Sequence, residues 1–262
     1  MLKGMNNILM IKAVVLAAGK GTRLQSEDTD LPKVMRKANN KPILEYVLNA
    51  IDFIAKKDII IVVGYKKEEV INNFAGYTYA EQKLQLGTGH AVMAAQAELE
   101  NFDGSVLICY GDMPVVKAET YKDLVQTHID QNNSCTILSA QVSQSLPYGR
   151  IIRDSDGCFK EIVEDRDCTP EQKNITELNS GVYVFRCEML RDALKKLNNN
   201  NSQGEYYITD APRIMKTQGA KIGICKRDLG DEIVGVNDAG QLKQVEKILG
   251  ERLSKFNNYS QS

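Results

Sequence analysis

Residues Leu16 to Lys33 read LAAGKGTRLQSEDTDLPK, and they follow a β-branched, apolar run, Lys12 to Leu16 (KAVVL), that predicts a buried strand. Gly19 and Gly21 bracket Lys20 and are followed by Thr22 and Arg23. Glycines let a backbone approach a ligand closely, and successive N–H groups form an anion-binding concavity. Lys20, Arg23 and Lys33 place three cations around it. A strand that feeds a glycine-rich, cationic loop predicts a polyphosphate ligand. Two familiar loops do not fit. A dinucleotide fingerprint needs a third glycine where Leu24 stands, and a Walker A loop needs its first glycine where Val14 stands.

Downstream, strand-like and helix-like segments alternate. Pro42 opens a helix with an apolar-periodic run, Ile43, Leu44, Tyr46, Val47, Leu48, Ile51 and Ile54. Asp58 to Val63 reads as a strand, Lys66 to Phe74 as a helix, Tyr77 to Ala80 as a short strand, and Thr88 to Leu99 as a helix. Ser105 to Tyr110 is a buried strand that ends at Gly111-Asp112-Met113-Pro114. This alternation predicts an α/β fold with a Rossmann-like, doubly wound, mostly parallel sheet, whose ligands sit beyond the carboxyl ends of the strands. The Gly19 and Asp112 loops both lie at such ends.

Lys117 to Gln131 continues as a helix and Ser134 to Val142 as a strand. Then the pattern changes. Ile151 to Arg153, the turn Asp154 to Gly157, and Phe159 to Val163 read as a β-hairpin. Further expectations are a strand over Ser180 to Phe185, a helix over Arg191 to Leu197, a helix over Glu205 to Thr217 kinked at Pro212, and a strand over Ala220 to Cys225. A terminal amphipathic helix spans Asp238 to Phe256, with Leu242, Val245, Ile248, Leu249 and Leu253 on one face. The expected organisation is a short leader (1–11), one catalytic domain (12–256) and a polar tail (257–262). Within the domain a first lobe with the cationic loop covers about 12–142, a smaller antiparallel lobe about 143–236, and a closing helix 238–256.

Composition bounds the partners. The 262 residues are 43% hydrophobic and 26% charged, with net charge −1, so no basic field argues for nucleic acid or an anionic membrane. No apolar run reaches the length of a membrane-spanning helix. The six cysteines contain no C-x-x-C, which argues against a zinc site or disulfide framework and predicts a cytoplasmic protein.

The opening segment resembles the L-A-A-G-x-G-T-R signature and following P-K pair of nucleotide-sugar pyrophosphorylases. The pieces QKLQLGTGHA, YGDMP, YGRI, EIVE, ELNSGVY, GEYYITD and VGVN then occur in order. As a set they resemble the uridyltransferase domain of the bacterial bifunctional enzymes that make UDP-N-acetylglucosamine, over Val14 to Asn237. The resemblance implies transfer of UMP from UTP to N-acetylglucosamine 1-phosphate, with Mg2+ and release of pyrophosphate, the 12–142 lobe binding the nucleotide and the 143–236 lobe the sugar.

It also implies roles. Gln82, chosen over Gln85 on the family spacing, and the backbone of Gly87 would read uracil, with Thr88 adjoining. Leu16, Ala17, Ala18 and Gly19 would pack under base and ribose, with Lys20 and Gly21 at the phosphates. Arg23 and Lys33 would be catalytic, through charge on the α-phosphate and the pyrophosphate. Asp112 and Asn237 would hold the metal, although each also suits a cap, Asn237 that of the last helix. Tyr110, Gly149, Glu164, Asn179 and Thr209 would surround the sugar. Neither His90 nor His128 has a triad around it, and both read as structural or exposed.

Two departures stand out. The segment between Arg23 and Pro32 is about three residues longer and more acidic than in the family. No hexapeptide repeat follows Asn237, so the reading expects neither acetyl-CoA chemistry nor the family's trimer and leaves oligomeric state open. Another hexose 1-phosphate (glucose or N-acetylgalactosamine), dTTP, or a non-catalytic nucleotide-sugar-binding subunit are the competing readings.

Overall fold

The computed structural model describes residues 10–21, 24, 30–144 and 146–259, with side chains to 254. Arg23, Thr22 and the acidic stretch 25–29 therefore lie outside the described residues, as do 1–9 of the expected leader and 260–262 of the tail.

In chain order the elements are β1 (Ile11–Leu16), the short hairpin β2 (Lys37–Ala38) and β3 (Lys41–Pro42), α1 (Ile43–Ala50), β4 (Ile59–Val63), α2 (Lys67–Asn73), β5 (Thr78–Glu81), α3 (Thr88–Ala94), α4 (Gln96–Leu99) and β6 (Ser105–Tyr110). There follow α5 (Ala118–Asp130), β7 (Cys135–Gln141), β8 (Arg150–Arg153), β9 (Phe159–Val163), β10 (Glu177–Arg186), α6 (Cys187–Leu194), α7 (Ala211–Thr217), β11 (Ile222–Arg227) and α8 (Ala239–Tyr259).

The fold is the expected mixed α/β architecture, with a mostly parallel central sheet and a smaller antiparallel part. The main path runs β11-β7-β10-β6-β1-β4-β5. β1 pairs in parallel with both β4 and β6, β4 with β5, and β11 with β7, while β10 runs antiparallel between β6 and β7. The β8–β9 hairpin joins only at the far end of β10, through Leu178 opposite Arg150. Thus β10 and β11, from the range expected for the sugar lobe, complete the main sheet, and the hairpin forms the antiparallel outgrowth.

Continuous apolar strands are what a sheet covered on both faces requires. Side chains alternate across it: Ala13, Val15, Ile59, Ile61, Leu107 and Cys109 join one core with α1 and α5. Val14, Leu16, Ile60, Val62, Val106 and Ile108 join the other with α3, α4, α6 and α7. A third, smaller cluster joins Leu24, Val115 and Val236 to Val245, Ile248 and Leu249 of α8. These three residues sit beside the glycine-rich loop, the Asp112 loop and Asn237, so the closing helix clamps together the loops that carry the charged residues.

Several helix expectations change. α1 ends at Ala50, and Ile51 and Ile54 are buried from a following turn. The Thr88–Leu99 helix breaks at Ala95, which leaves both Val92 and Leu99 fully buried. The expected Arg191–Leu197 helix is instead α6, because Cys187, Leu190, Ala193 and Leu194 form the buried stripe. The Arg191 guanidinium binds the carbonyls of Leu99 (2.7 Å) and Glu100 (2.6 Å) at the end of α4. Pro212 does not kink a long helix. It sits in the first turn of α7, where no N–H is needed, and Glu205 is not helical. α8 runs on to Tyr259, and Leu253 is 56% exposed rather than on the packed face. Among the described residues no helix is long and apolar enough to cross a membrane, and all six cysteines are free thiols.

Candidate active site

The carboxyl ends of β1 and β6 lie side by side, and the chain beyond them is tied together. Gly111 N–H donates to the Leu16 carbonyl at 2.9 Å, and Lys33 N–H donates to that of Gly19 at 3.4 Å. Val236 N–H donates to the Asp112 carbonyl at 2.9 Å, which brings the segment before α8 to the end of β6. Three side chains then converge. The Lys33 ammonium bonds the Asp112 carboxylate and, at 2.7 Å, the Asn237 amide oxygen. The Lys33 and Asp112 side chains are only 13% and 21% exposed, so this contact is screened far less than a surface ion pair.

Asn237 does not cap α8. Asp238 takes that place, accepting from Gln241 N–H at 2.9 Å, while the Gln241 side chain accepts from Asn237 N–H at 2.7 Å. The Asn237 side chain is thereby left to face Lys33. The carboxylate of Asp112 and the amide oxygen of Asn237 are both hard donors directed at one cation. That donor set fits a divalent ion that keeps most of its coordination for phosphate oxygens and water. No group of three or more His, Cys, Asp or Glu among the described residues could hold a metal, so protein ligands there are few.

From this charged point a cavity of about 260 Å³ extends over Leu16, Ala18 and Gly19 to Gln82, Gln85, Gly87, Thr88 and Tyr110. The far wall is the loop before α3, zipped to a second segment through the backbone. Tyr206 N–H donates to the Leu86 carbonyl (2.8 Å) and Gly89 N–H to that of Tyr206 (2.7 Å). Gly87 has φ +104°, and a Cβ there would stand 2.6 Å from the Tyr206 carbonyl, so only glycine fits. Gln82 is buried and donates to the Gly87 carbonyl at 3.0 Å. Gln85 also lines the cavity, donating to the Ala18 carbonyl at 2.7 Å. Ala17 is buried behind the wall, with its N–H on the Val62 carbonyl. Lys20 points outward over the Tyr65 ring, 5.2 Å from its centroid, and Gly21 packs on the Lys33 stem.

The expected sugar residues form a second group across Tyr110. Burial pushes the Tyr110 hydroxyl well above the usual phenol range, and it shares a hydrogen bond with Thr88. Its ring lies on Gly181 (φ +80°), where a Cβ would stand 2.2 Å from the ring. Asn179 N–H donates to the Gly149 carbonyl at 2.7 Å. The Asn179 amide nitrogen donates to the Tyr183 hydroxyl (2.7 Å), and its oxygen accepts from Gly181 N–H (3.2 Å). Much of that side chain is therefore committed within the fold. Thr209 donates to Glu164 at 2.9 Å. Burial raises the Glu164 carboxyl above its ordinary range. The Thr209 bond opposes the shift, while Asp167, Asp210 and Asp165 add to it.

Of the two histidines, His128 is structural: buried, bonded to Thr136 at 3.0 Å, and held neutral to about pH 4 by burial with Arg186 nearby. His90 contacts the Gln82 amide at 3.1 Å and belongs to the site's support. Gln85, His90 and Glu205, which also lines the cavity, are the residues that sequence reasoning left out.

With this geometry the comparisons are direct. A nucleotidyl transferase family model matches residues 12–245. The chain belongs to the nucleotidyl transferase family. It is a nucleotidyltransferase, of a family whose members take a nucleoside triphosphate and generally a divalent metal. Similar relatives include the "Bifunctional protein GlmU" of Acetivibrio thermocellus, 42% identical over 246 residues, covering 94% of this chain and 53% of the relative. The protein of that name from Thermoanaerobacter pseudethanolicus is 45% identical over 242 residues, covering 92% and 52%. The chain thus spans about half the length of the curated relatives it matches. A crystal structure of a Bacillus anthracis protein assigned as a glucose-1-phosphate thymidylyltransferase, in complex with a sucrose, superposes with TM-score 0.70. It covers 91% of this chain and 94% of that one at 17% identity, a likeness of fold.

Proposed function

We propose that this nucleotidyltransferase transfers UMP from UTP to N-acetylglucosamine 1-phosphate, giving UDP-N-acetylglucosamine and pyrophosphate. The observation that carries the reading is the single cavity that runs from Gln82 and Gly87 to Lys33 and Asp112. It offers the polar side chains of Gln82, Gln85 and Thr88 at one end and the Lys33–Asp112 pair at the other. The ordered motif set and the relatives called GlmU support the choice of substrates.

An oxygen of the sugar phosphate attacks the α-phosphorus of UTP in line. The new P–O bond forms as the bond to the bridging oxygen of the β-phosphate breaks, and pyrophosphate leaves with the electron pair. No protein nucleophile is needed, so catalysis is positioning and charge neutralisation. Asp112 and Asn237 would hold Mg2+, which when bound neutralises phosphate charge. Lys33, at the same point, and Arg23 would stabilise the α-phosphate and the departing pyrophosphate. Gln82 and the Gly87 backbone would read the base above Leu16, Ala18 and Gly19, with Ala17 supporting them from behind and Lys20, Gly21 and Thr88 beside the nucleotide. Glu164 would accept from sugar hydroxyls, with Thr209 fixing its carboxylate, and Tyr110, Gly149 and Asn179 would complete the sugar wall. Free thiols suit a cytoplasmic place for this work.

The test is pyrophosphate release over a panel of UTP and dTTP against N-acetylglucosamine, N-acetylgalactosamine and glucose 1-phosphates. UTP with N-acetylglucosamine 1-phosphate should be the best pair, silenced by EDTA and restored by Mg2+. A preference for glucose 1-phosphate would overturn the sugar assignment, and silence with every pair would overturn the catalytic reading.

A further inference from the structure

We infer that His90 is a positioning residue that locks the Gln82 amide in one orientation, so that the cavity presents an acceptor to the base and selects an imide (uracil or thymine) over cytosine. The inference rests on the base-binding role proposed for Gln82 and Gly87.

The orientation follows from the neighbours. Gln82 is 5% exposed, and one polar end of its amide lies 3.0 Å from the Gly87 carbonyl and 3.1 Å from His90 Nδ1. A carbonyl oxygen only accepts, so the amide atom facing it is the nitrogen, Nε2. That carbonyl also accepts from Ala91 N–H at 3.1 Å in the first turn of α3, and is held in place. The second Nε2 proton then goes to His90 Nδ1. An accepting Nδ1 carries no proton, which puts the ring proton on Nε2 of the imidazole. Both donors of the Gln82 amide are consumed inside the protein. Its oxygen, Oε1, receives a hydrogen bond from no described residue, and Gln82 lines the cavity.

The base edge decides the consequence. Around N3, uracil and thymine carry an N–H donor flanked by carbonyl acceptors. Cytosine carries an acceptor at N3 and an amino donor at C4. Oε1 of Gln82 accepts from the imide N–H, and the Gly87 N–H, which bonds no described group, donates to the adjacent carbonyl. Cytosine would set acceptor against acceptor and donor against donor. Flipping the amide to suit cytosine would turn Oε1 onto the Gly87 carbonyl and leave His90 Nδ1 without its donor. A site built this way rejects the wrong edge strongly, because its buried polar groups are left unpaired. The inference leaves uracil and thymine equivalent, since they share the edge.

The experiment measures UTP and CTP binding calorimetrically without sugar phosphate, and kcat/KM for each, in the wild-type protein and three variants. His90→Phe and His90→Leu remove the acceptor, so either carries the test if the other folds poorly. His90→Asn returns an acceptor oxygen close to the place of Nδ1. The UTP-to-CTP ratio should fall at least tenfold in His90→Phe and His90→Leu and recover most of that loss in His90→Asn. An unchanged ratio in the acceptor-free variants, or an Asn variant as unselective as they are, would overturn the inference. A wild-type protein with no preference for UTP over CTP would instead overturn the base assignment on which it rests.

Discussion

At the phosphate end, Lys33, Asp112 and Asn237 come from three separate loops, and among the described residues the Lys33 ammonium bonds the side chains of the other two. At the sugar end, Asn179, Gly181 and Tyr183 come from one strand, β10, and satisfy one another before any ligand arrives. The first arrangement holds opposite charges close together, ready to be shared with an incoming polyanion. The second is a preformed neutral wall. Changes at the first should therefore appear in the chemistry, and changes at the second in stability and ground-state binding.

The sharpest way to break this contrast is Asp112→Asn. Removing the Asp112 carboxylate from the charged point should cost about 3 kcal/mol or more of transition-state stabilisation, roughly a hundredfold in kcat, with little change in Tm. The measurement is steady-state pyrophosphate release at limiting Mg2+ beside a thermal melt. Wild-type kcat would remove Asp112 from the centre.

Asn179→Ala should show the opposite profile. It strips partners from the buried Gly181 N–H and the Tyr183 hydroxyl, at roughly 1–3 kcal/mol, or about 3–10 °C in Tm for a chain of this size. KM for the sugar phosphate should rise more than kcat falls. A variant with unchanged Tm and a large loss of kcat would place Asn179 with the charged end.

The smallest expected effects compare two carboxylates whose pKa values move in opposite directions. Glu232 precedes Asn237 by five residues and accepts from Lys117 N–H (3.0 Å) and the Thr120 hydroxyl (2.5 Å) at the start of α5. Burial alone would raise it, but these bonds and the Lys117 ammonium outweigh burial and hold it below the usual range. A depressed carboxyl adds stability that is present above the unfolded pKa of about 4.3 and is lost as pH falls through the folded value. Glu164, raised by burial, has the reverse sign: it costs stability that accumulates as pH rises from the unfolded pKa of about 4.3 through the raised folded value. In melts from pH 3 to 8, Glu232→Gln should lower Tm at pH 7 and shrink the acid fall. Glu164→Gln should keep or slightly raise Tm at pH 8 while increasing KM for the sugar phosphate. Parallel curves for the two variants would contradict the assignment.

Much of the fold was legible, because strands buried on both faces must be apolar throughout: Val14 to Leu16, Ile59 to Val63 and Ser105 to Tyr110 announce themselves. Helix limits were less so. The stripe of α6 begins at Cys187, which local pattern does not separate from the end of β10, and Pro212 suits a first turn as well as a kink. In the site, the convergence of Lys33, Asp112 and Asn237 matches residues named from motifs. Gln85, His90 and Glu205 were passed over because their roles depend on what faces them: the Ala18 carbonyl, the Gln82 amide and the cavity itself.

By itself the sequence determined an α/β sheet with two cores, a glycine-rich cationic loop at a strand end, and the residue types a polyphosphate site needs. These are matters of period, burial and local backbone chemistry, carried by neighbours in the chain. Only the tertiary structure decided that α8 gathers the loops of Leu24, Val115 and Val236 under one cluster. The same is true of Asp238 capping that helix, which leaves Asn237 for Lys33, and of His90 meeting Gln82. These pairings join residues far apart in the chain or facing across a turn, and which donor finds which acceptor is settled by packing.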